Sequence, residues 1–161
     1  LLPAYTTEVL HSEANVGGYL MAAQGVGGVT ATVLIASLGF VIKKGKLALI
    51  VLVVGSAAIL MVAQSHWLPL SLAMLAFLGL SQTTFIVTNQ VLMQSMIPDA
   101  LRGRVTSIYM LEFSLGPLAI LLIGLLMDIY SVSGALTIVA SISLTAALFL
   151  LLIFRRVRNL E

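Results

Sequence analysis

Between Lys46 and Asp99 the chain carries no Asp, Glu, Lys or Arg. The run ends at a short polar knot, Ile97-Pro98-Asp99-Ala100-Leu101-Arg102-Gly103-Arg104-Val105, and beyond it only Glu112 and Asp128 are charged until Arg155. A span needs about 20 apolar residues to cross roughly 30 Å of hydrocarbon, so runs of this length are read in units of that size. Pro98 cannot donate a backbone hydrogen bond and disfavours helix at Ile97. Asp99 suits the cap of a short turn, within reach of Arg102. Gly103 lets the chain turn between two permanently charged guanidinium groups. Such a knot belongs at a membrane surface.

Composition leaves no aqueous alternative. The chain is 60% hydrophobic and 9% charged, with mean hydropathy +1.15, against about 25% charged residues in a soluble domain. There is no cysteine, which excludes disulfides and thiolate metal sites. Residue 1 is Leu and no signal-peptide pattern precedes the first polar stretch, so the sequence reads as a piece of a longer chain.

Five complete spans follow, and the fold class is an all-α polytopic membrane protein. Residues 1–5 read as the tail of an earlier helix before a polar loop with Glu8, His11 and Glu13. The spans fall at 14–42, 47–65, 69–97, 105–130 and 135–154. Trp67 marks an interface and Pro69 a helix start. Residues 131–134 read as a tight turn. All eight Lys and Arg fall at 43–46, 102–104 and 155–158, the second, fourth and last connections, and therefore on one side. The positive-inside rule makes that side cytoplasmic. Glu8, Glu13, His66 and Asp128 then lie toward the outer face, the chain starting outside and ending inside.

Without a hydrophobic force between helices in lipid, small residues that permit close backbone approach direct packing. Gly28, Thr32 and Ala36 recur at four-residue spacing, as do Gly18 and Ala22, with Gly25 beside them. This stripe is either an ordinary packing face or a sliding interface. Gly116-Pro117 interrupts the fourth span roughly 20 Å from Arg104, as a static kink or a hinge.

Glu112 is the only ionisable residue deep in a span, roughly 12 Å from Arg104 along the helix. A carboxylate there must find a partner, meet water or hold a proton. It is therefore a proton-coupling candidate, or else a structural acid paired within the bundle. Asp128, roughly 36 Å from Arg104, reads as a solvated end residue. On the third span Gln82 and Asn89 share a face, with Gln90 and Gln94 on its flank. Thr84 and Thr88 point the other way and suit bonding back to their own helix. Gln82, Asn89 and Gln90 are substrate-cavity candidates; the alternative is glue between helices, at about 0.6 kcal/mol per bond. Gln24 is a lone amide in the first span.

Other chemistry is thin. His11 and His66 have no ligand spacing around them, no catalytic triad pattern is present, and no phosphate-binding glycine loop occurs. The sequence implies no metal, no cofactor and no enzyme, and the basic clusters are too short for a nucleic-acid patch.

Pro98-Asp99-x-x-Arg102-Gly103-Arg104-Val105 between two spans, preceded by Asn89 and Gln94, resembles the C-terminal half of a major facilitator superfamily transporter. The nearest likeness is to the bacterial exporter branch that includes the enterobactin exporter and drug-efflux proteins. The resemblance covers essentially the whole chain and makes the five spans helices eight to twelve. It implies a multi-pass protein of the bacterial inner membrane, an N-terminal half elsewhere in the same chain, and a small drug- or siderophore-like substrate. It also implies proton-coupled antiport by alternating access, with Asp99, Arg102, Gly103 and Arg104 in an inner-gate loop. An uptake carrier of the same fold and a non-transporting membrane scaffold are the competing readings. One departure stands out: the family's Gly…Asp-Arg-x-Gly-Arg loop is matched by Lys43-Lys44-Gly45-Lys46, with Ile42 at the acid position and Leu38 at the leading glycine. The resemblance therefore does not carry that loop's charge lock to this site.

Overall fold

The computed structural model describes residues 5–6, 15–38, 44–65 and 67–153; the side chains of Leu38, Lys44, Met96, Asp99, Ala100, Arg102, Glu112 and Phe113 lie outside that description. Five helices follow in order: α1 (Asn15–Leu38), α2 (Lys44–Gln64), α3 (Leu68–Met96), α4 (Asp99–Tyr130) and α5 (Val132–Ile153). All five are long and apolar enough to cross a membrane. The described residues contain no strand. In lipid every backbone donor and acceptor must be satisfied within its segment, which leaves the helix as the solution for isolated apolar runs.

Local chemistry sets the helix ends. Trp67 is extended (φ −111°, ψ 114°) and largely exposed, and a proline in the first turn starts α3 behind it. Ile97, forced out of the helical region by Pro98, is extended at φ −98° and ψ 121°, so α3 stops at Met96. The knot differs from the sequence expectation. Asp99, Arg102, Gly103 and Arg104 form no loop: Pro98 sits at the N-cap and α4 begins at Asp99, ahead of the expected Val105. Proline is preorganised for a helix start, an acid in the first turn suits the helix dipole, and nothing from Asp99 to Val105 breaks a helix. Gly103 is an ordinary helical residue here. The α4–α5 turn is equally short, with Ser131 alone outside the helices at φ 72° and α5 starting at Val132, ahead of the expected Ala135. The Lys43 end of the first span and His66 lie outside the described residues.

α3 is the central helix, packed on α1 along one side and α2 along another, while α2 also packs on α5 and α4 packs on α5. The α1–α3 crossing is a backbone contact. A Cβ added at Gly27 would stand 1.9 Å from the Ala76 carbonyl oxygen, and one at Gly79 would stand 2.0 Å from that of Gln24. The buried face of α1 runs through Gly17, Leu20, Gly27 and Ala31. Only Gly28 of the expected stripe reaches α3, facing the Thr83 hydroxyl; Gly18, Ala22, Gly25, Thr32 and Ala36 are exposed. The correction is one of period: a packed face alternates steps of three and four residues, and strict steps of four drift off it.

One end of the bundle is tied by polar contacts. The Tyr5 hydroxyl lies 2.8 Å from the carbonyl oxygens of both Val62 and Ser65 and 3.0 Å from the Ser71 hydroxyl. Ser133 donates to the Ala63 carbonyl, joining the start of α5 to the end of α2. Tyr5, Leu20, Val62, Leu75 and Val132 form the apolar core beneath these bonds. The large exposed apolar side chains of α4, such as Ile108, Leu115, Leu122 and Ile129, make a surface suited to lipid or protein.

Candidate functional site

The α1–α3 crossing determines where the polar groups meet. With the two backbones touching at Gly27 and Gly79, Gln24 and Gln82 flank the contact on facing helices, and Gln24 Nε2 donates to Gln82 Oε1 at 3.0 Å. The lone amide of the first span and the first amide of the α3 stripe are therefore partners.

Beside this pair lies a cavity of about 330 Å³ walled by α1, α2, α3 and α5. Its polar lining consists of Gln24, Gln82, Ser56, Ser81 and Ser143, and Phe85 lies among its apolar residues. The Ser56 and Ser143 hydroxyls bond to each other at 2.8 Å, and Ser56 also donates to the Leu52 carbonyl at 2.9 Å. Ser81 differs. It is 3% exposed, faces Gly55 of α2, and its Oγ has no partner among the described residues. A hydroxyl buried without a partner costs about 1–3 kcal/mol. No ionisable side chain lines the cavity among the described residues.

A second cavity of about 230 Å³ adjoins it, sharing Gln24, Ile59 and Leu78 and extending between Leu75, Leu136 and Ile123 of α4. Its walls are apolar except for Tyr5 and Gln24. The two share part of their walls and form a mainly apolar chamber with a few amides and hydroxyls in its lining.

The sequence candidates divide. Gln82 lines the cavity, whereas Asn89 and Gln90 stand two turns further along α3 and do not. Thr84 bonds back to the Leu80 carbonyl as expected, but Thr88 is fully buried with its hydroxyl unpartnered among the described residues. Glu112 lies on α4, its side chain outside the described residues. Gly116 and Pro117 sit within α4, which runs unbroken from Asp99 to Tyr130. Gly103, Arg104 and Asp128 are exposed. Near the start of α4, Gln94 and Thr106 line a third space of about 450 Å³ with Met93 and Ile97. The sequence reading missed Ser56, Ser81 and Ser143. A lone serine in an apolar helix is unremarkable in sequence, because its hydroxyl can bond back to its own backbone; what distinguishes Ser81 is that it does not.

Neither the curated proteins nor the solved structures searched returned a match. The family profile described as Major Facilitator Superfamily matches residues 1–161. A match over the whole chain, on a bundle of five helices long and apolar enough to cross a membrane, places the chain in the Major Facilitator Superfamily, whose members are multi-pass transporters of small molecules across lipid bilayers.

Proposed function

We propose that the chain is the C-terminal transmembrane half of a proton-coupled exporter of small molecules in the bacterial inner membrane, working by alternating access with an N-terminal half. The observation that supports the transport reading is the space beside the Gln24–Gln82 pair, where two amides and three serines gather among otherwise apolar helices. The exporter assignment rests on the likeness of residues 98–105 to the exporter branch. Proton coupling rests on Glu112, because a carboxylate at that depth either holds a proton or pays for its charge. Asp99, Arg102 and Arg104, at the first turns of α4, then belong to the inner gate, and Gly116-Pro117 to the bend that lets α4 follow it.

The test uses the full transporter in cells preloaded with the neutral dye Nile red and then energised. Wild type should clear dye several-fold faster than Glu112→Gln at matched amounts of folded protein. Equal clearance by the two proteins over a range of external pH would reject Glu112 as the coupling group. Dye accumulation instead of clearance would favour the uptake carrier.

A further inference from the structure

We propose that Tyr5 is a latched lid: its ring closes the chamber at the end of the bundle that carries the α2–α3 turn, and its hydroxyl is the catch that holds the ring there. The lid is a property of the bundle and does not rest on the direction or coupling of transport.

Position is the first observation. Tyr5 precedes the five helices, is 1% exposed, and stands in the wall of the 230 Å³ cavity together with Val62, Leu75 and Leu136. Its hydroxyl lies at the turn, 2.8 Å from the Val62 and Ser65 carbonyl oxygens and 3.0 Å from the Ser71 hydroxyl. Neither Ser65 nor Ser71 lines the cavity. The ring therefore stands between the cavity and the turn.

The catch is the second observation. α2 ends at Gln64, and a helix end leaves its last carbonyls without partners in the helix. The Tyr5 hydroxyl donates to the Val62 and Ser65 carbonyls in alternation, because a phenol has a single proton. Behind it Ser71 donates to Ser65 Oγ at 3.2 Å, and Ser65 donates to the Trp67 carbonyl at 3.2 Å. The hydroxyls thus run from the buried phenol to Trp67, whose side chain is exposed. Every member of this network is neutral, and water can replace each of them as donor or acceptor. Release orphans nothing once water enters from the Trp67 side, whereas parting an ion pair among apolar helices would strand a charge. Packing alone would hold a phenylalanine equally well; the hydroxyl adds a bond that can be exchanged.

The frame around the lid is the third. Ser133 donates to the Ala63 carbonyl and ties α5 to the end of α2 beside the catch. Tyr5 comes to this frame from a part of the sequence outside the five helices. Lid and frame are separate pieces of chain, joined here through exchangeable bonds.

The test reads accessibility and needs neither a gradient nor a substrate. In a full transporter otherwise free of cysteine, Val139→Cys places a thiol in the cavity wall, and Trp67→Cys, made separately, places one outside it. A small membrane-impermeant methanethiosulfonate is added on the side from which Trp67→Cys reacts. Val139→Cys should react far more slowly than Trp67→Cys while Tyr5 is intact. Tyr5→Phe keeps the ring and removes the catch. Loss of one hydrogen bond is worth roughly a fivefold to tenfold change, so Tyr5→Phe should speed Val139→Cys by that factor and leave Trp67→Cys unchanged. Ser71→Ala should act in the same direction by a smaller factor, and keeps the proposal testable where Tyr5→Phe fails to fold. An unchanged Val139→Cys rate in Tyr5→Phe, even with a lower unfolding temperature, would overturn the proposal and leave Tyr5 as a fixed cap of α2. Equal acceleration at both thiols would overturn it as general loosening. Equal rates at the two thiols with Tyr5 intact would show that the chamber has no lid at this end.

Discussion

Gly27 and Gly79 differ from the other glycines of the bundle in what stands opposite them. The atom in the way is a backbone carbonyl, which cannot swing aside as a side chain can. Accommodating a methyl group at either position forces α1 and α3 apart, and overpacking typically costs about 1–3 kcal/mol, the upper end applying where backbone must move. Gly27→Ala and Gly79→Ala should therefore each sharply lower the yield of folded protein and its thermal stability in detergent. Gly25→Ala meets nothing within 4 Å and should be neutral or slightly stabilising, since alanine is the better helix former. Equal behaviour of Gly25→Ala and Gly27→Ala would show that the crossing is elsewhere. Sequence showed that α1 packs through small residues but not through which. Gly25, Gly27 and Gly28 are chemically identical in a string of letters, and only the partner helix, with Gly79 placed opposite, distinguishes them.

At the scale of the element, the helices were legible and their ends less so. Pro98 and Pro69 act through their own rings, so their effects can be read locally. The first turns of α4 could not be read that way, because Asp99-Ala100-Leu101-Arg102-Gly103-Arg104 is polar enough for a loop and contains nothing that forbids a helix. Its polarity reports where the membrane ends, while the helix runs on; at 1.5 Å per residue α4 is about 48 Å long, well beyond the roughly 30 Å hydrocarbon layer. The α4–α5 turn is the opposite case, with backbone strain concentrated in one residue. Ser131 holds φ 72° and ψ 163°, a region almost exclusive to glycine that costs a side-chain-bearing residue about 1–3 kcal/mol. Its hydroxyl accepts the Gly134 amide at 3.4 Å, a long bond whose loss to glycine costs only a few tenths of a kcal/mol. Ser131→Gly should therefore stabilise the protein by about 1 kcal/mol after the entropy cost of glycine is counted, measurable as a higher unfolding temperature in detergent. A lower temperature would mean that the hydroxyl outweighs the strain.

For the whole molecule, the spans came from hydropathy, a local sum along the chain, and charge, another such sum, supplies only the expected sides. The chamber came from neither, since it depends on Gln24, Ser56, Gln82 and Ser143 arriving together from four helices. The ends of the bundle are consistent with the alternation of sides. Tyr5, the α2–α3 turn and the α4–α5 turn share one end through the Tyr5 and Ser133 hydrogen bonds, as connections on the same face of a membrane must. Which face that is remains a matter for experiment; the Lys and Arg distribution leads us to expect the outside. The absence of cysteine from this chain gives a direct test, because each introduced thiol is unique within it. Lys46, in the first turn of α2, and Trp67, in the connection that follows α2, are both exposed. In a full transporter otherwise free of cysteine, Trp67→Cys should react with a membrane-impermeant maleimide in intact cells, and Lys46→Cys only after permeabilisation. The reverse pattern would invert the bundle. Glu112, about 12 Å from Arg104 along α4, would then lie nearer the outer surface than the cytoplasm, and an exporter would draw its protons through the short path instead of the long one.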